Sequence, residues 1–456
     1  MVKRKWLPRM RSHRRNHPFS DSSGGARIDR AGWSGGRAAR YFTTVKLAGA
    51  EPSPRSGSPE AAVLAEADRW RQLLFIALTT VLAMSTWFSA SAVAPALERS
   101  WGISAGDASG LTTAVQLGFV VGSIGSALLN LPDVLSMRRL IAGSALLAGL
   151  STAAFALFAH SLGTALPLRF VTGLALAGVY PPGMKLMASW FRSGRGMAIG
   201  VLVGALTLGS GAPQLVGPAV SDSTPVLWAA AIAAVAASAL ALGAVRDGPY
   251  LQPSPALDPA YLFRMLRDRR QRLVNLGYYG HMWELYAWWT WLPAWLVAAF
   301  AGGIGGSGAR VMAGPTAFAA IACAGILGSV GAGLLADRVG RSPVTIGAMA
   351  VSGAACLLSP LVFGFPSSLI IPFVLIWGAA AIADSAQFSA ALTEAADPRY
   401  MGTALTLQTA IGFLLTILSI RLVPLLAQAG GWRFAFVFLA AGPLAGVAAM
   451  WRARQT

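Results

Sequence analysis

Runs of roughly 20 apolar residues recur along the chain after residue 70, separated by short connectors carrying Arg, Gly, Pro and Ser. Each run is long enough to cross a hydrocarbon layer of ~30 Å, because a helix rises ~1.5 Å per residue. In such a layer only a backbone that satisfies its own hydrogen bonds persists, so the runs read as helices. Twelve spans are predicted, at 72–97, 108–132, 139–159, 163–189, 196–219, 226–245, 273–300, 310–335, 343–363, 367–391, 401–427 and 431–451. Only 12% of the residues are charged and 55% are hydrophobic, which is about half the charge of a soluble globular protein. The expected fold class is an all-α membrane protein with twelve transmembrane helices.

The polar residues are distributed unevenly. Cys323 and Cys356 fall inside spans and are too few for a disulfide framework. The histidines (His13, His17, His160 and His281) are scattered, so neither a metal nor a cofactor is expected. The net charge is +18; residues 1–60 hold 13 Lys/Arg and 4 Asp/Glu, and the rest of the chain holds 23 and 14. Segment 1–68 has too few apolar residues to pack a core and lacks the apolar stretch of a signal peptide. It reads as a disordered, basic cytoplasmic extension, or as translation from an upstream start codon, with no nucleic acid as partner. With the N-terminus placed inside, 17 of the 23 later Lys/Arg lie in or beside cytoplasmic segments. Arg99, Arg310 and Arg433 fall in outer loops, and Arg169, Lys185 and Arg421 fall within spans. This bias predicts that both termini are cytoplasmic.

One connector carries a pattern: Gly331-Ala332-Gly333-Leu334-Leu335-Ala336-Asp337-Arg338-Val339-Gly340-Arg341. Glycines at 328, 331 and 333 are expected to let one helix face press on a neighbour. Gly340 permits a tight turn, and Asp337 can pair with an arginine. The stretch resembles the loop signature of the major facilitator superfamily, G-x-L-A-D-R-x-G-R. The first half holds a partial counterpart, with Asp133 standing 204 residues before Asp337 and followed by Arg138-Arg139. There Leu129 replaces the expected glycine and Val134 the expected arginine. Trp87 and Trp291 are also 204 residues apart, which reads as duplication. The resemblance covers about 70–452 and implies two six-helix repeats: a bundle at 69–245, a central cytoplasmic loop at 246–272 and a bundle at 273–456. Within that loop, 258–272 is expected to form a short amphipathic helix on the membrane surface.

Ionisable groups deep in a bilayer are expensive and usually functional. Asp384 and Glu284 each lie about ten residues inside a span, near the midplane at ~1.5 Å per residue. Gln387 lies one turn from Asp384. His281, Glu284, Trp288, Trp291 and Trp295 share a helix face by their spacing. Buried carboxylates suit proton capture and release, and the competing reading is a carboxylate tied to Ser or Trp donors for structure. Arg169 begins Arg169-Phe170-Val171-Thr172-Gly173, which resembles the R-x-x-x-G element of the family's fourth helix. It suits an anionic group, or snorkels to the head groups. Lys185 follows Tyr180-Pro181-Pro182-Gly183, where two prolines should bend span four, and the same two readings apply to it. The resemblance implies that spans one, four, seven and ten line a central cavity. It further implies that Asp337, Arg338, Gly340, Arg341 and Gly333, with Asp133 and Arg138, steady one conformation at the cytoplasmic mouth.

The run from Tyr180 to Phe191 looks like that of nitrate/nitrite and cyanate porters and other anion symporters, although the glycine–asparagine signature of nitrate porters is missing. The expected function is alternating-access, proton-coupled uptake of a small anion across a bacterial inner membrane by a monomer. Proton-coupled drug efflux is the alternative, since a tryptophan-rich seventh span could accept a lipophilic cation. A lipid-modifying membrane enzyme or a sensor is the remote one, and the chain is not expected to be an enzyme.

Overall fold

The computed structural model describes residues 59–455, apart from 192–193, 216, 218–219, 221, 252–257, 259 and 398–399. Helix begins earlier than expected, with α1 at Pro59–Met84. Residues 59–68, assigned above to the disordered extension, are therefore the lead-in to span one. Pro59 suits a first turn that needs no N–H, and the Ala, Leu and Glu that follow are strong helix formers. The rest of the extension lies outside the described residues. Span one then breaks at 85–88 and resumes as α2 (Ser89–Ala92) and α3 (Ala94–Trp101).

The next helices are α4 (Ala105–Leu128), α5 (Leu131–Val134), α6 (Met137–Phe158), α7 (Leu162–Leu176), α8 (Tyr180–Ala188), α9 (Arg195–Gly211) and α10 (Thr224–Gly243). A capping box starts α4: Ser104 Oγ accepts from Asp107 N (3.1 Å) and Asp107 Oδ2 accepts from Ser104 N (3.1 Å). Span four divides into α7 and α8 at 177–179, just ahead of Pro181-Pro182. There the missing proline N–H groups fall in a first turn that has no use for them.

The second half holds α11 (Tyr261–Arg267), α12 (Arg269–Phe318), α13 (Ala324–Val339), α14 (Arg341–Val362), α15 (Ser367–Ala383), α16 (Ser385–Ala395), α17 (Met401–Gly430) and α18 (Ala441–Arg454). Two expectations change here. The central loop ends at Asp268, not 272, because Asp268 caps α12 by accepting from Gln271 N at 2.7 Å. Spans seven and eight are two helices that meet at Gly305 (φ 73°, ψ 164°), so α12 consists of two arms and the connector between them is tight. A π-helical turn, Ala319–Cys323, joins α12 to α13.

Ten helical stretches among the described residues are long and apolar enough to cross a membrane. The first arm of α12 is not one of them, being diluted by Trp, Tyr, His and Glu. Among the described residues, each of the twelve predicted spans nonetheless lies mostly on helix. Within 59–243, α4 packs on α7, α6 on α10 and α7, and α1 on α9 and α10. Within 269–454, α12 packs on α17 and α18, α13 on α15, and α14 on α15 and α18. The two sets meet chiefly through α9 against α13 and α4 against α17. Backbones touch where α4 crosses α7: a methyl group at Gly173 would stand 1.8 Å from Val115 O. That contact admits only glycine.

Candidate functional site

The break in span one arises from its own hydroxyl groups. Ser85 Oγ donates to Leu82 O (2.7 Å), Thr86 Oγ1 to Ala83 O (2.9 Å) and Ser89 Oγ to Thr86 O (2.9 Å). Such local bonds compete with the helix ladder and leave carbonyls in need of donors. Arg169, fully buried on α7, supplies them: Nη1 donates to Thr86 O (3.0 Å) and Nη2 to Trp87 O. Its Nε has no partner, and no carboxylate forms an ion pair with it among the described residues. The snorkelling reading is therefore corrected, because the guanidinium turns inward to a broken backbone instead of outward to head groups.

Beside this break lies an aromatic cluster drawn from both halves. The Trp87 ring is 5.1 Å from Phe119, 5.4 Å from Phe413 and 5.8 Å from Tyr286, centroid to centroid. Phe88 stacks on Tyr286 at 6.2 Å, and Phe119 lies 4.7 Å from Phe413. One turn away along α4 and α17, Gln116 Oε1 accepts from Thr416 Oγ1, joining the halves. Trp87 Nε1 and Gln116 Nε2 are buried donors without partners, as is Arg169 Nε. Of these, the sequence marked Arg169 as a charge within a span and Trp87 by its spacing from Trp291. Phe119, Tyr286 and Phe413 carried no signal, since an aromatic residue in an apolar run reads as packing.

A second polar cluster occupies the far half. Span ten divides at Asp384, the residue between α15 and α16. Its Oδ1 lies 2.8 Å from His281 Nδ1, both side chains buried, without the alignment of a regular hydrogen bond. His281 Nε2 is unpartnered. Glu284, one turn along α12, accepts from Trp377 Nε1 (2.7 Å), Ser352 Oγ (2.8 Å) and Cys356 Sγ (3.4 Å). It is held by α14 and α15, inside its own half, by the Ser and Trp donors of the structural reading. Trp288 is also packed there, its ring 5.3 Å from Trp377. Trp291 donates to Ile420 O (2.9 Å) and Trp295 stacks on Phe436. The predicted tryptophan stripe is thus packed against α15, α17 and Phe436 of its own half. Among the described residues no three His, Cys, Asp or Glu side chains could hold a metal.

The connector signature forms a third cluster on the arginine-rich face. Gly340 turns the chain with φ 91°, placing α14 beside α13. Arg341 then reaches Asp337 Oδ1 (3.1 Å), Glu394 Oε1 (3.3 Å) and Gln387 Oε1 (2.9 Å). Gln387, one turn from Asp384, thus bonds into this cluster. Asp337 also stands against the first turn of α9, where a methyl group at Gly196 would meet its Oδ1 at 2.7 Å. An acid there complements the positive end of the helix dipole. Arg338 is exposed.

The expected single glycine face is not formed. Gly328 lies against Ala379 of α15, Gly333 against Gly196 of α9, and Gly331 against nothing. Asp133's side chain lies outside the described residues. Arg138 is exposed near Asp247, whose carboxyl is raised by burial and drawn back by that guanidinium. Tyr180 and Lys185 are half-buried on α8, below the break in span four.

Removing Arg341 should loosen this mouth. In a background with Cys323→Ser, Ser329→Cys places a thiol at a fully buried site where Ser329 Oγ now donates to Gly200 O (3.2 Å). Adding Arg341→Ala is expected to speed its maleimide labelling several-fold, with little change in melting temperature because partly exposed pairs contribute ~0.2–1 kcal/mol. An unchanged labelling rate would show that the network does not hold α9 to α13.

Comparison with known proteins adds two findings. A family model described as Major Facilitator Superfamily matches residues 76–419. Over 122 residues the chain is 30% identical to the 4-hydroxybenzoate transporter PcaK of Pseudomonas putida, a stretch covering 27% of this chain and 27% of that protein.

Proposed function

Since the chain belongs to the major facilitator superfamily and is a multi-pass secondary transporter rather than an enzyme, we propose that it imports a small organic anion together with protons. The observation that carries this reading is Arg169, a buried guanidinium whose charge no carboxylate neutralises among the described residues. A buried cation without a counter-ion is costly, and an anionic solute lowers that cost when it arrives. The unpartnered donors of Trp87 and Gln116 supply further hydrogen bonds. The rings of Trp87, Phe119, Phe413 and Tyr286 offer flat faces to an aromatic body. The similarity to a 4-hydroxybenzoate transporter over part of the chain supports an aromatic carboxylate within the anion class.

In this reading the coupling proton resides on the Asp384–His281 pair. Glu284, with three donors of its own, is a fixed acceptor that keeps α12, α14 and α15 in register. Access to the two clusters alternates as the six-helix halves rock about the α4–α17 and α9–α13 seams. The breaks in spans one, four and ten are where the backbone gives. The protein sits in a bacterial inner membrane as a monomer. Its arginine-rich face is cytoplasmic, and Asp337, Arg341, Gln387 and Glu394 close that mouth.

Sealed proteoliposomes with a pH dye inside test the proposal. Benzoate-type anions, inorganic nitrate and lipophilic cations are added in turn under an inward proton gradient. An aromatic carboxylate is expected to drive protons inward with saturation. Movement provoked by cations alone would replace import of anions with efflux of drugs.

A further inference from the structure

We propose that the outward face of α11 binds the anionic head groups of membrane phospholipids. The helix has two unlike faces. Tyr261 and Met265 are buried against the protein. Tyr261 stacks on Tyr400 (4.7 Å, 13° between planes), donates to Gln271 Oε1 (3.1 Å) and accepts from Asp397 N (3.3 Å). Arg272 Nη1 donates to Leu266 O (3.0 Å) and ties the end of α11 to the start of α12. Held at both ends, α11 cannot roll to bury its other side.

That other side exposes Phe263 by 66% and Leu266 by 43%. Around them Arg264, Arg267, Arg269, Arg270 and Arg272 are all exposed. The acids nearby are engaged: Asp258 by Arg264 (3.4 Å), and Asp268 as the cap of α12. Two large apolar side chains among five cations gain nothing from water on a connector. A lipid interface takes in both sets, with the apolar groups at the acyl boundary and the guanidinium groups on phosphates. The first turn of α12 follows directly from Asp268, which sets α11 at head-group level. A free phosphate ion would satisfy the arginines and leave Phe263 and Leu266 in water, so the occupant is phosphate carried on acyl chains.

The test uses full-length protein in vesicles containing trace spin-labelled phosphatidylglycerol or phosphatidylcholine, reading the motionally restricted fraction. The wild type is expected to restrict phosphatidylglycerol several-fold more strongly. The double variant Arg267→Gln/Arg270→Gln should lose about fivefold or more of that preference at unchanged melting temperature, by the usual contribution of each surface cation. Phe263→Ser should weaken restriction of both lipids. Equal restriction of the two lipids, an unaltered double variant, or displacement by excess inorganic phosphate would each overturn the proposal. Should the double variant not fold, photoactivatable phosphatidylglycerol on the wild type decides. Cross-links within 261–272 uphold the site, and their absence there refutes it.

Discussion

Asp384→Asn is expected to abolish proton-driven accumulation of the solute while leaving its binding within about twofold. The exchange replaces a carboxyl oxygen with an amide nitrogen and keeps the shape. Asp384 makes no side-chain capping bond to α16, so the junction of α15 and α16 should survive. His281, 2.8 Å away, then faces an amide instead of a carboxyl. The proposed solute site, among Arg169, Trp87 and Gln116, lies in the other cluster, so binding should persist. Counterflow, which exchanges labelled for unlabelled solute without net proton movement, should continue at a comparable rate. If the variant accumulates solute and moves protons like the wild type, the pair is structural and the coupling site lies elsewhere. His281→Gln should reproduce the defect in part, since Asp384 then keeps its carboxyl without its base.

Arg169→Gln is expected to weaken solute affinity by about 100-fold or more, the scale of removing a charged, buried hydrogen-bonding partner. It should also lower the melting temperature, because Trp87 O loses its donor and Thr86 O keeps only Ser89 Oγ. Arg169→Lys should rescue neither effect, since one ammonium cannot reproduce a planar fork that reaches two carbonyls. The measurement is ligand binding by tryptophan quenching on the folded fraction, with a melting curve beside it. If affinity per folded molecule is unchanged while the melting temperature falls, Arg169 is a clamp on span one alone, and the anion reading loses its main support.

The two predictions separate because the clusters belong to different halves. Arg169, Trp87 and Gln116 arise from α7, the broken span one and α4, whereas Asp384, His281 and Glu284 arise from α12 and the α15–α16 junction. The aromatic residues between them, Tyr286 on α12 and Phe413 on α17, pack against Trp87 and Phe88 across the seam. Under the proposed rocking, motion at the seam would alter the surroundings of the proposed solute cluster directly. It reaches the proton cluster through α12, which carries both Tyr286 and His281. An α-helix transmits such a displacement because its backbone bonds are all internal.

The sequence by itself determined the class of fold and most of its punctuation. Apolar runs of membrane length can be only helices in a hydrocarbon layer, so the spans were legible without any contact being known. The turn at Gly340 and the pairing of Asp337 with Arg341 were legible as well, since they are local: one glycine conformation and one helical turn. So were the ionisable positions themselves, because a charge within an apolar run is conspicuous. Partners were not legible. Nothing in the run around Arg169 indicates that it faces two carbonyls 82 and 83 residues earlier, nor that Glu284 finds Ser352, Cys356 and Trp377 on two other helices. Periodicity gives the face of a helix and not the neighbour that the face meets. That choice is made by packing, where glycine contacts such as Gly173 on Val115 fix which backbones touch and, through them, which polar groups share a site.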